Sequence, residues 1–438
     1  MNQEKDSRDE RSVIKQVCKQ FRFKPQHVQK GSRNVWQVFD GERWFALKST
    51  SQSADTLALI HDITDQIHDA GYPNLLSCKK TEQNETFVER EGKCWYLTPW
   101  VQPQEPQEFD YNPEVLVRSL GIFHKQAEPL VSEHVDRTKQ VEQEQVERWK
   151  GYQTKLSEYQ EVVQNREYKS PFDKVYVGQI DLVDRLFTFA IKGLERFVEA
   201  ESGVPPRYTL CHGHLHPSNV VRDDEQFYWI DFDDAEIDTP VRDLAVFLRR
   251  FQHRNLDPEE IQHLIEVYES ENPLSPKEKK LLAIYLSYPE NVLRLAHKYY
   301  DRPRIMGESD AVVQLENKIQ QMHALFDVVK RLWKTEPPKT GRTKPAKKST
   351  KAAAKTTLKA TKGTKSTKAT KETKPIKETK PIKETEPIKE PKLIKETQET
   401  RAPKEIKEMK PSSQGESEPD LDHLDHLDHL DLEDNDRD

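Results

Sequence analysis

Aromatic residues stop at Trp333 and do not return before the chain ends at residue 438; beyond Pro337, Lys, Thr, Glu and Pro take over. Such a stretch cannot bury enough apolar surface to offset the entropy of ordering its backbone. Any packed core therefore comes from the residues before it, and residues 335–438 are expected to form a disordered, low-complexity tail. The remaining stretch of about 330 residues suits two cores, or one small and one larger lobe. The net charge of −7, from 69 Lys and Arg against 76 Asp and Glu, conceals a tail that is first basic and then, from Glu416, acidic. The mean charge thus says little about partners.

Within the foldable part the hydrophobic period changes along the chain. Val13, Ile14, Val17, Cys18 and Phe21 have helical spacing, which predicts a helix over Ser12 to Phe21. From His27 to Thr50 apolar and polar residues alternate around Asp40-Gly41, a hairpin signal. A helix over Ala54 to Ala70 is stopped by Gly71 and Pro73, and a second hairpin follows through Thr86 to Val88 and Cys94 to Trp100. Residues 1–101 thus read as a small β-rich lobe. Proline-punctuated residues 102–107 read as a hinge. Residues 108–334 read as a helical lobe with helices over Pro113 to Gln126, Val141 to Val163, Ile180 to Ala200 and several from Asp238 to Trp333, and with strands only at Tyr208 to Leu210 and Phe227 to Ile230. The expected class is α+β.

Cys18, Cys78, Cys94 and Cys211 show no metal-ligand spacing, so reduced thiols are expected, as in a protein made in a cytosol. The polar N-terminus lacks a signal-peptide pattern, and no stretch approaches the ~18 apolar residues of a membrane span. Neither secretion nor membrane insertion is expected.

The segment richest in chemistry is Cys211-His212-Gly213-His214-Leu215-His216-Pro217-Ser218-Asn219, followed by Trp229-Ile230-Asp231-Phe232-Asp233-Asp234. Phosphoryl transfer to a hydroxyl needs an acceptor for the nucleophile's proton, oxygen ligands for Mg2+ and a cation on the nucleotide phosphates. Asn219 and Asp231 are metal ligands of the right type in the right order. Taken singly, both are also ordinary turn residues, and Lys48 is an ordinary surface lysine.

Together with Asp243-Leu244-Ala245 and Leu120-Gly121-x-Phe123-His124, these motifs resemble the aminoglycoside phosphotransferase and choline kinase superfamily. Within it they are similar to bacterial spore coat proteins of the CotS and YsxE type, over roughly residues 10 to 334. The resemblance implies a two-lobed, protein-kinase-like fold, with Asn219 and Asp231 as Mg2+ ligands and Lys48 on the nucleotide phosphates. It also implies that Asp243, with His212, braces the catalytic loop, and that Lys30-Gly31-Ser32-Arg33-Asn34 covers the phosphates, Gly31 and Ser32 closest. ATP and Mg2+ are the cofactors it implies. It further implies a protein made in the mother-cell cytoplasm and deposited in the spore coat, with other coat proteins as partners.

Three departures from the family pattern point away from catalysis. His214 stands where active members carry the aspartate of His-Gly-Asp, and losing a positioned base typically costs about 10² to 10⁴ in rate. The phosphate loop has one glycine. The helix over Ala54 to Ala70 has no Glu to pair with Lys48, leaving Asp62 or Asp65 as substitutes. The reading is a catalytically impaired, kinase-like coat component; the competing one is an ATP- and Mg2+-dependent phosphotransferase acting on a small hydroxylated or amino substrate. In the tail, Glu-Thr-Lys-Pro-Ile-Lys recurs from Glu372 and from Glu378, and the alternation of Lys with Glu there argues against nucleic-acid binding. The Asp-His repeats of residues 422–429 read as a weak, adventitious metal site.

Overall fold

In α1 (Asn2–Gln20), Val13, Ile14, Val17 and Cys18, with Phe21 just beyond the helix, bury one apolar stripe against Trp36, Val38, Phe45, Leu47, Trp95 and Leu97. These partners occupy alternate positions of β2 (Val35–Phe39), β3 (Trp44–Thr50) and β5 (Lys93–Pro99), as the period of two requires. With β1 (His27–Ser32) and β4 (Phe87–Arg90) they make a five-stranded antiparallel sheet in the order β1-β2-β3-β5-β4. The expected hairpin turn forms because the Asp40 carboxylate accepts the N–H groups of Glu42 and Arg43, while Gly41 takes a φ of +114°. Trp36 is packed under α1, away from the opposite sheet face, which carries Ala46, Lys48, Tyr96 and Thr98.

The computed structural model describes residues 2–32, 34–102, 112–223, 226–251, 257–302 and 306–334. The hinge expected at 102–107 lies outside them apart from Gln102, as do Arg33 and the tail expected from residue 335.

Helix α2 (Ala54–Asp69) starts at Ser53, whose hydroxyl accepts the Thr56 N–H. It serves two cores. Leu57 packs with Cys94 and Tyr96 of the sheet, while Ile60, Ile63 and Ile67 join the large helical core. That core is built by α3 (Pro113–Val131), α4 (Gln143–Gln164), α5 (Pro171–Glu201), α6 (Pro240–Arg250), α7 (Pro258–Glu271), α8 (Pro276–Ser287), α9 (Glu290–Asp301) and α10 (Glu308–Trp333). Phe123, Phe187, Phe247 and Tyr268 are fully buried in it, each contributing about 2 to 3 kcal/mol of transfer free energy.

Helix α5 begins nine residues earlier than its periodicity suggests, since Ser170 and Asp173 form a capping box around Pro171. The large lobe also has four short strands where two were expected: β6 (Thr209–Cys211), β7 (Val220–Arg222), β8 (Phe227–Trp229) and β9 (Glu236–Asp238). Strands of three residues are too short to display an alternation. β6 pairs with β9 and β7 with β8, both antiparallel.

Candidate functional site

The two small sheets, β6 with β9 and the β7–β8 hairpin, hold residues 212–219 and 230–235 side by side. Gly213 sits at φ +78°, and a Cβ there would lie 2.0 Å from the Asp234 carbonyl oxygen, so the loops approach as only glycine allows. From α6, Asp243 accepts the His212 N–H at 2.6 Å and the Gly213 N–H at 3.2 Å. Its Oδ2 is also 3.2 Å from His124 Nε2 on α3, and His124 Nδ1 lies 2.8 Å from the Tyr268 hydroxyl. Burial works to raise the Asp243 carboxyl, but the His124 bond, the two rings and the His212 N–H hold it below the ordinary carboxylate range.

His124, Cys211 and Asp243 form a compact buried group that superficially suits a metal. The chemistry does not fit one: Asp243 is occupied by three donors, the Cys211 thiol donates to the Thr239 carbonyl, and burial keeps that thiol protonated. The group is a structural brace.

His212 is buried and its Nε2–H donates to the Ile230 carbonyl at 2.9 Å, while Nδ1 accepts the His214 N–H at 3.3 Å. Burial, opposed by Asp243, lowers its pKa, which agrees with a neutral ring acting as donor on one side and acceptor on the other. The His214 ring places Nδ1 3.4 Å from an Asp234 carboxylate oxygen. Asn219 donates its side-chain amide to the His214 carbonyl at 3.0 Å and accepts the Ile230 N–H on its own carbonyl at 3.0 Å. The Ile230 bond sets the Asn219 backbone opposite the residue that precedes Asp231.

Asp231 adopts a left-handed backbone, φ +69° and ψ +61°, uncommon for a residue with a side chain and placed between the end of β8 and the short 3-10 helix Phe232–Asp234. Its carboxylate pairs with Lys48 from β3. Lys48 Nζ is also 3.0 Å from Asp233, whose other oxygen accepts the Tyr96 hydroxyl at 2.7 Å and whose carbonyl accepts Gln52 Nε2 at 3.0 Å. Burial works to lower the Lys48 pKa, yet Asp233 and Asp231 raise it above the ordinary lysine value. Burial likewise works to raise Asp231, and Lys48 brings it below the carboxylate range.

These residues close one side of a cavity of about 280 Å3 between sheet and helical lobe, with Gly31, Ser32 and Lys48 on the sheet side and Asp231 opposite. Asn219 and His214 lie in the adjoining loop and do not line the cavity. Gly31 and Ser32 belong to β1 rather than to a free loop, and the register shifts between Lys30 and Ser32. The expected substitutes on α2 do not reach Lys48: Asp62 accepts from Gln66 at 2.9 Å and Asp65 pairs with Lys80 at 3.3 Å. α2 presents His61 instead, edge-on to Tyr96 at 5.0 Å between ring centroids. Sequence reasoning assigned no role to Asp233, Asp234, Tyr96 or Gln52. Only the spacing of Asp233 and Asp234 after Asp231 could have signalled any of them.

A family model described as "Spore coat putative kinase YutH" matches residues 14–332. The chain belongs to this family. The endospore coat-associated protein YutH of Bacillus subtilis (strain 168) is 25% identical over 285 residues, covering 61% of this chain and 78% of that protein. The crystal structure of an aminoglycoside phosphotransferase from Alicyclobacillus acidocaldarius covers 72% of this chain and 95% of its own, with a TM-score of 0.60 at 20% identity. The fold of this family member is thus the two-lobed aminoglycoside phosphotransferase fold, as its motifs imply. Among the described residues no helix is long and apolar enough to cross a membrane.

Proposed function

We propose that this chain is a kinase-fold component of the endospore coat that serves in assembly and is impaired in phosphoryl transfer. It would be made in the mother cell and laid down in the coat, with other coat proteins as partners. The observation that carries the reading is His214. Everything that shapes a transfer loop surrounds it, from the Asp243 brace to Gly213 and Asn219, while the position of the expected carboxylate base holds an imidazole turned onto Asp234.

The same loop suits a bound nucleotide. Asp231 and the Asn219 amide oxygen are the hard oxygen donors Mg2+ prefers, and Lys48 with Gly31 and Ser32 faces the cavity where phosphates would lie. When bound, the cation would offset phosphate charge. Lys48 would position the phosphates, and the loop would orient an acceptor.

A second reading, an active phosphotransferase, draws support from the His214–Asp234 pair, because a carboxylate behind an imidazole fixes its tautomer and orientation for proton transfer. Turnover decides between them. The proposal expects ATP consumption at background in the wild type, a rise in melting temperature with Mg·ADP, and a gain in turnover in His214→Asp. Robust wild-type turnover that is abolished in Asp231→Asn would overturn it in favour of the enzyme.

A further inference from the structure

Phosphate-binding lysines of kinase folds are held by an acid from the helix of the small lobe, and α2 supplies none here: Asp62 and Asp65 are engaged elsewhere. The position facing the lysine's surroundings is His61, kept neutral at pH 7 because burial and the nearby Lys48 charge bring its pKa down to about 4. The carboxylate that meets Lys48 beside Asp231 comes instead from the large lobe. Asp233 alone contacts three separate parts of the small lobe: Lys48 on β3, Tyr96 on β5 and, through its carbonyl, Gln52 in the loop before α2.

We propose that Asp233 is the positioning residue for Lys48 and the latch between the lobes, and that it makes nucleotide binding conditional on a divalent cation. The second part rests on the nucleotide reading given above. With Asp233 in that role, Lys48 is held only when the lobes meet. Its one positive charge then lies between two carboxylates, so the locus carries a net charge of −1 (one lysine, two aspartates). Nucleotide phosphates arriving without a metal meet like charge in a partly desolvated cleft, where repulsion is stronger than in water. A divalent cation on Asp231 reverses the sign and releases Lys48 from one of its partners.

The test uses the full chain and ADP with and without Mg2+, measured calorimetrically. In wild type, metal-free ADP should bind at least about tenfold more weakly than Mg·ADP, a difference of about 1.4 kcal/mol. Asp233→Asn, which keeps the shape and the Gln52 contact but removes the charge, should bring metal-free ADP to within about threefold of Mg·ADP. Asp62→Asn on α2 should change neither affinity. An unchanged metal-free affinity in Asp233→Asn, or an equal gain in Asp62→Asn, overturns the conditional step. The latch is read separately by amide exchange without nucleotide, which should quicken in β5 and around Gln52 in Asp233→Asn and, should that variant not fold, in the Tyr96→Phe, Gln52→Ala double variant. Unchanged exchange overturns the latch. If wild type binds no Mg·ADP, the nucleotide reading and the conditional step fall together, while the exchange result still decides the latch.

Discussion

Gly213 and Asp243 carry the local geometry on which every reading of the loop depends. A methyl group at residue 213 would meet both a left-handed backbone and the Asp234 carbonyl at 2.0 Å, and neither neighbour is a flexible side-chain end. Gly213→Ala is therefore expected to cost about 3 kcal/mol or more, since left-handed strain of about 1 to 3 kcal/mol adds to the displacement of a backbone segment. A urea midpoint within error of wild type would show that the loop yields. Lys48, Asn219, Asp231 and Asp243 were singled out because their motifs resemble those of a known family, and the structure joins Lys48 to Asp231 and Asp243 to the loop of residues 212–219. The Lys48–Asp233 bond was not legible, because it joins residues far apart in the chain that meet only where the two lobes do. The failure of Asp62 and Asp65 to reach Lys48 was hidden for a related reason. Composition tells which acids a helix has, but the angular position of each depends on how the helix is rotated against the sheet.

Among the elements, α2 shows how packing sets chemistry. His61 is 6% exposed, its Nδ1 lies 2.8 Å from the Thr86 hydroxyl, and burial together with the Lys48 charge lowers its pKa from 6.5 to about 4. Between those values the unfolded chain binds the proton and the folded one does not. The stabilisation is complete above about pH 6.5 and is lost as pH falls toward 4. Integrated to pH 5, that loss is about 2 kcal/mol. Urea titrations at pH 7 and pH 5 should show it in wild type and not in His61→Gln; equal pH slopes would mean that His61 is accessible to protons when folded. Elements with strong local chemistry were foreseeable: α2, α3 and the Asp40 turn all announce themselves by caps, periodicity or turn residues. β7 and β9 did not, because three residues pairing across a loop owe their extension to the partner strand rather than to their own pattern.

The molecule as a whole divides its apolar surface unequally. The layer between α1 and the sheet is a separate core, whereas α2, the four short strands and the helices of the large lobe share another. Phe21→Ala should therefore remove about 3 to 5 kcal/mol from the first layer and speed amide exchange in α1, β2 and β3, while α3, α5 and α8 keep wild-type protection. Simultaneous loss of protection in both would show one cooperative unit. The two-lobed outline was legible from the change between strand-like and helical periods along the chain, but the division of cores was not. Nothing in the pattern of α2 says that its isoleucines belong to one lobe and Leu57 to the other.

That divided allegiance has a mechanical outcome. Ile60, Ile63 and Ile67 root α2 in the larger body, whereas Ala54, Leu57 and the His61 ring bear on the sheet. Any widening of the cavity would therefore have to part the sheet from α2, because the three isoleucines tie that helix to the larger body.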